Sequence, residues 1–194
     1  MLKMNIDFSR RHLMCAGLVV SALCWSAVAT ASEFKLSNRA GERIVRQQMT
    51  VEASYMQPIV LEGGRENLPR EKSDAYFVAH LKAASAHPHG FSKFAWIPFL
   101  NVRYILEKSG TQWKQQGPMS AAIGKFGPHY GANVKLDGVG KYRLTLHVGP
   151  PDRGINRLVD WENGITWWKP FEVSWTFTYL GVGKKGVIGA TGGY

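Results

Sequence analysis

Phe171-Glu172-Val173-Ser174-Trp175-Thr176-Phe177-Thr178-Tyr179 alternates large apolar and polar side chains without interruption. A period of two is the mark of a strand with one face buried and the other wet. Tyr142, Leu144, Leu146 and Val148 repeat the pattern against Arg143, Thr145 and His147. Leu100, Val102, Tyr104 and Leu106 do so against Asn101, Arg103 and Glu107, with Ile105 as an outward exception. Further candidate strands run over 49–56, 74–83 and 134–136. Long helical periodicity is missing, and glycine- and proline-bearing turns separate the runs. The sequence therefore predicts an all-β protein, a sandwich of about seven strands.

Upstream of this pattern the chain reads as an address. Arg10 and Arg11 precede an uncharged apolar run from Leu13 to Trp25, and Ala29-Thr30-Ala31 offers small residues to a signal peptidase. Residues 1–31 are expected to be a signal peptide cleaved near Ala31, which makes the protein periplasmic. Ser9-Arg10-Arg11-His12-Leu13-Met14 also approximates a twin-arginine signal, so export folded or unfolded stays open. An uncleaved anchor is the competing reading, because the charge-free stretch is nearly long enough to span. The domain then covers 32–180, and 181–194 is a glycine-rich tail expected to be flexible.

Both cysteines, Cys15 and Cys24, fall in the leader. A mature domain without cysteine excludes disulfides, thiolate ligands and blue-copper chemistry. The whole chain carries +10. Lys3, Arg10 and Arg11 against Asp7 give the leader a net +2, which leaves +8 after cleavage. Export and the even spread of lysines and arginines argue against nucleic acid. A weak attraction to anionic membrane surfaces is the modest consequence.

Gly127-Pro128-His129-Tyr130-Gly131-Ala132-Asn133 places one imidazole beside a proline and between two glycines, which reads as a stiff turn presenting His129. In the strand over 74–83, Ala75, Phe77, Ala79 and Leu81 form the inward set. Tyr76, Val78, His80 and Lys82 then share the opposite face, and His80 is expected to be accessible. His147 faces outward by the same parity. His87-Pro88-His89 lies in a loop, where two histidines are more simply solvated than ligating.

Five blocks in order, Tyr55-Met56-Gln57-Pro58-Ile59, Trp96-Ile97-Pro98-Phe99-Leu100, Gly127 to Asn133, Gly140-Lys141-Tyr142-Arg143-Leu144-Thr145 and Lys169-Pro170-Phe171-Glu172-Val173, resemble the periplasmic iron-transport accessory family. The resemblance covers nearly all of the mature chain. It implies an immunoglobulin-like β-sandwich, commonly a homodimer, that binds copper or iron and serves an inner-membrane iron permease in high-affinity uptake. It also implies a ligand set that this chain lacks. The family's His and the Glu two residues on fall at Tyr76 and Val78, its methionine at Ala122, and a later histidine at Leu158. Only His129 is retained.

Two outcomes follow from that loss. In one, the copper or iron site is rebuilt from His129, His80 and Met119, a set of imidazole and thioether donors. In the other, metal binding is gone and a scaffold docks on a membrane permease. A carbohydrate-binding envelope protein is a third reading, carried by Trp161, Trp167, Trp168 and Trp175. Adjacent Trp167 and Trp168 must face apart in a strand, and Trp175 belongs to an inward set, which weakens it. The chain has no nucleophile elbow, no His-Glu-x-x-His run and no phosphate loop, so it reads as a binding protein rather than an enzyme.

Overall fold

The computed structural model describes residues 38–62, 68–85, 87–125 and 127–181. The expected leader at 1–31 and residues 182–194 of the expected tail lie outside them. Among the described residues are ten strands: β1 (Asn38–Arg39), β2 (Ile44–Arg46), β3 (Met49–Met56), β4 (Ala75–Ala83), β5 (Asn101–Lys108), β6 (Lys114–Pro118), β7 (Ser120–Gly124), β8 (Gly127–Val134), β9 (Gly140–Gly149) and β10 (Phe171–Tyr179). A single 3₁₀ turn, Arg70–Lys72, precedes β4.

The strands form two antiparallel sheets. One has the order β1-β3-β4-β8-β7, with β2 also on β3, and the other the order β10-β9-β5-β6. The sandwich expected from alternation is the architecture found. The period-two runs become β10, β9 and β5, each with its apolar set inward, and Ile105 is half-exposed as its parity requires. Between the sheets, Tyr55 stacks against Phe77 and Phe177 with ring centroids 5.6 and 5.2 Å apart. Tyr142 and Tyr179 extend the same cluster. Contacts of this kind supply edge-to-face attraction beyond the burial itself.

Three details correct the sequence reading. The count of about seven strands misses the short β1 and β2 and the pair β6 and β7, whose residues alternate weakly. The candidate strand over 134–136 stops at Val134. Most consequential, the Gly127 segment is a strand and not a turn. Its hairpin with β7 closes at Gly124 and Gly127, where Gly127 has φ 96°, and the strand then runs to Val134 beside β4. Pro128 lies beyond the β4–β8 pairing, which spans Ala79↔Tyr130 to Ala75↔Val134, so its missing N–H breaks no ladder bond on that side.

Tyr130 fixes β8 from within. Its hydroxyl donates to the Ile97 carbonyl at 2.8 Å and accepts from the Leu100 N–H at 2.9 Å. The ring lies 5.3 Å from that of Trp96. The Trp96-to-Leu100 block therefore serves as the clasp between the two sheets, and its buried backbone groups depend on one phenol. Tyr130→Phe leaves both without a partner. It should cost about 1–3 kcal/mol in urea unfolding, with the fold retained.

Candidate metal centre

His129 and its neighbours occupy the face of the larger sheet that points away from the core. The register aligns Tyr76 with Asn133 and Val78 with Gly131 across β4 and β8, and Ala122 with His129 across β7 and β8. On the far side of β4, Glu52 of β3 stands opposite His80. Of the positions assigned to the lost ligands, Tyr76, Val78 and Ala122 thus lie around the retained histidine. This face is not open. Tyr76 is fully buried, and Val78 and His129 are nearly so. Chain held at Ile59 and at Leu68 explains part of the cover: the Asn133 amide donates to the carbonyls of Ile59 and Leu68 and accepts the Ile59 N–H.

The hydrogen bonds of His129 determine its tautomer. Nδ1 lies 3.2 Å from the Gly127 carbonyl, which can only accept, so Nδ1 carries the proton. Nε2 is left with a lone pair, and the Tyr76 hydroxyl donates to it at 3.0 Å. Burial raises the Tyr76 pKa, so that hydroxyl stays protonated. Gly131 makes the contact sterically feasible. A Cβ there would meet the Tyr76 oxygen and ring carbons at overlapping distance, down to 1.9 Å.

His80 lies beside His129, with ring centroids 5.9 Å apart, the proximity that the first of the two outcomes requires. It is only half-exposed, contrary to the accessible position inferred from parity, because the face it shares is covered. Its Nδ1 is buried with no hydrogen-bond partner, an acceptor or donor awaiting one. Desolvation lowers its pKa, aided by the His129 ring and by Lys82, with Glu52 and the Pro128 carbonyl pulling the other way. Burial lowers the His129 pKa too, against the pull of the Gly127 carbonyl. Both imidazoles are thereby held as neutral donors, the form a transition ion needs.

Met119 does not join them. It has the opposite parity to Ser120 and Ala122, is 4 % exposed and packs in the core between the sheets. The thioether of the expected trio is turned inward, which reduces the set to a His80–His129 pair. Leu158 sits exposed in the long loop after β9. Among the described residues, no three His, Cys, Asp or Glu side chains converge on one point. Glu52 is the neighbour that sequence reasoning missed, and the bond from Tyr76, a residue placed on this face in advance, is the contact it missed. Glu52 is an outward residue of its strand, but only the register places it against His80. It is also bonded to Arg43 at 2.5 Å.

The other aromatic and histidine expectations divide. His147 is half-exposed on the outward side of β9. Trp168 and Trp175 are buried, so the four tryptophans make no open platform for a sugar. His87 is also buried, against the solvated position expected for it, whereas His89 is half-exposed.

Residues 32–181 match the family described as Fe2+ transport protein. The chain belongs to this family. Its fold superposes on a copper-bound variant of FetP from uropathogenic Escherichia coli strain F11 with a TM-score of 0.71 at 40% identity, covering 75% of this chain and 98% of that one. Copper-reconstituted P19 of Campylobacter jejuni gives 0.71 at 32% identity, covering 76% and 99%. A UPF0423 protein of Brucella abortus strain 2308 is 41% identical over 143 residues, 71% of this chain and 79% of its own. The family is one of Fe2+ transport, and both of these solved neighbours carry copper.

Stability should register the two neutral imidazoles. Each has a folded pKa below the ordinary 6.5, so on acidification the unfolded chain binds protons before the native state does. Their contribution is complete above pH 6.5 and is lost as the pH falls through the lower folded values. Urea midpoints of the metal-free protein should therefore drop across this window, and His80→Gln should flatten the slope. Gly131→Ala should displace Tyr76 and cost about 1–3 kcal/mol, the range for overpacking.

Proposed function

We propose that this chain is an exported periplasmic accessory protein of high-affinity iron uptake, not an enzyme, with a remodelled copper or iron site made from His80 and His129. The observation that carries the reading is the pair itself. A second imidazole, with a buried Nδ1 lacking a partner, lies beside the one retained family histidine. Both rings are on the face where the family's ligand positions cluster. Copper-bound structures of FetP and P19 support the choice of ion. A bound ion would contribute Lewis acidity and, for copper, one-electron chemistry. Imidazole nitrogens suit copper and iron better than they suit magnesium or calcium.

Tyr76 sets the terms of that binding. Its hydroxyl holds the Nε2 lone pair of His129, so an ion reaching that nitrogen must displace a hydrogen bond. The raised pKa of Tyr76 makes it a competitor more than a phenolate ligand. The same contact favours a second reading, in which His129 is satisfied internally and the domain is a metal-free docking partner. In either reading the partner is an inner-membrane iron permease, consistent with the family. Exposed Ile155, Leu158, Val159 and Trp161 in one loop support a homodimer contact there.

Calorimetric titration with Cu²⁺ and Fe²⁺ separates the two. The rebuilt site predicts binding in the wild type, its loss in His129→Ala, and an affinity gain of roughly two- to tenfold in Tyr76→Phe, where one hydrogen bond no longer competes. Flat traces for the wild type and Tyr76→Phe alike would leave the docking role.

A further inference from the structure

His87 and His89 flank Pro88 in the loop after β4, away from the ligand positions of the family. His87 Nε2 lies 3.2 Å from the Gln47 carbonyl, and His89 Nε2 lies 2.8 Å from the Thr166 carbonyl. Carbonyl oxygens only accept, so in each ring Nε2 bears the proton. That leaves Nδ1 as the lone-pair nitrogen of both neutral rings. The two Nδ1 atoms face each other at 3.0 Å. The backbone N–H of His89 also points to His87 Nδ1, at 3.4 Å, which agrees with an acceptor there. Two lone pairs at this separation repel unless something positive lies between them.

A metal ion satisfies the geometry. Nitrogens each about 2.0–2.1 Å from a common ion and at right angles to one another lie about 2.9 Å apart. Square-planar coordination of that kind suits Cu²⁺, which also heads the affinity order for imidazole nitrogen. Each ring already has the outer partner a ligating histidine needs, an N–H bonded to a backbone carbonyl. The frame is stiff on both sides. Gln47 and Gln48 form the β2–β3 turn with φ of 46° and 57°, and Gln48 accepts the Ala84 N–H at 2.8 Å. Non-glycine residues adopt such φ values only where the surroundings hold them. Rings of Trp168, Trp167 and Phe91 pack on the pair, with centroids 5.0, 5.4 and 5.7 Å from His89, His89 and His87 respectively.

We infer that His87 and His89 form a second metal site, binding one transition ion of the Cu²⁺ type through their paired Nδ1 atoms. It uses no residue of the His80–His129 site, so either can exist without the other. Solvent molecules would complete the coordination beside these two donors.

The test uses the full chain carrying His80→Gln and His129→Gln, titrated with copper sulfate and followed by electron paramagnetic resonance. The expected result is one tetragonal Cu²⁺ signal with hyperfine splitting from two nitrogens. It should vanish, with at least about a tenfold loss of affinity, when His89→Gln is added. A signal unchanged by His89→Gln, or no two-nitrogen signal at all, overturns the proposal. Substoichiometric Cu²⁺ on the wild type gives a check independent of folding in the variants. It should broaden the ring resonances of both His87 and His89. Sharp resonances, with an Nδ1 proton shared between the rings, would show a hydrogen-bonded pair only.

Discussion

One hydrogen bond organises the outer face of the larger sheet: Tyr76 to Nε2 of His129, across the space left by Gly131. It requires three adjacent choices. β4 must offer a long phenol, β8 must lack a side chain directly in its path, and the imidazole must present a lone pair instead of a proton. The last is secured by the Gly127 carbonyl at Nδ1. With all three in place, a nitrogen that could hold an ion is already partnered inside the protein. Access to it becomes a competition between a proton donor and a metal.

The scaffold beneath is indifferent to that competition. Its strength lies between the sheets, in the aromatic cluster around Tyr55 and in the Tyr130 clasp, where apolar burial and satisfied backbone groups do the stabilising. Ligand positions on the outer face can therefore change without loss of the sandwich. The chain that carries Tyr76, Val78 and Ala122 on this face superposes on copper-bound FetP and P19. Buried as they are, Tyr76 and Val78 add apolar cover on a face where a charge would need compensation.

How much of this could be read from the chain differs between fold and site. β5, β9 and β10 were legible because each has one dry and one wet face, and alternation records that directly. β8 was not, since six consecutive residues from His129 to Val134 are buried and leave no contrast between its faces. Its glycines and proline also imitate a turn. Parity put His80 on the outer face, but its approach to His129 was only one of two alternatives left open by the family resemblance, and the register decides it. Met119 failed for a local reason: sequence proximity to His129 says nothing about which side of the sheet a residue enters, and a residue just before β7 points to the core. The Tyr76 bond and the Nδ1 pairing of His87 with His89 depend on register and on carbonyls distant in sequence, which no single-chain pattern encodes.

The claim that Tyr76 occupies the lone pair of His129 is open to direct observation. A long-range proton–nitrogen correlation spectrum of the metal-free protein, with ring nitrogens labelled, reports which nitrogen carries the proton. The expected spectrum is that of a neutral His129 protonated at Nδ1, with Nε2 shifted as an acceptor and coupled to a slowly exchanging Tyr76 hydroxyl. A proton found on Nε2 would contradict it, and with it the view that a metal must compete with a phenol at this site.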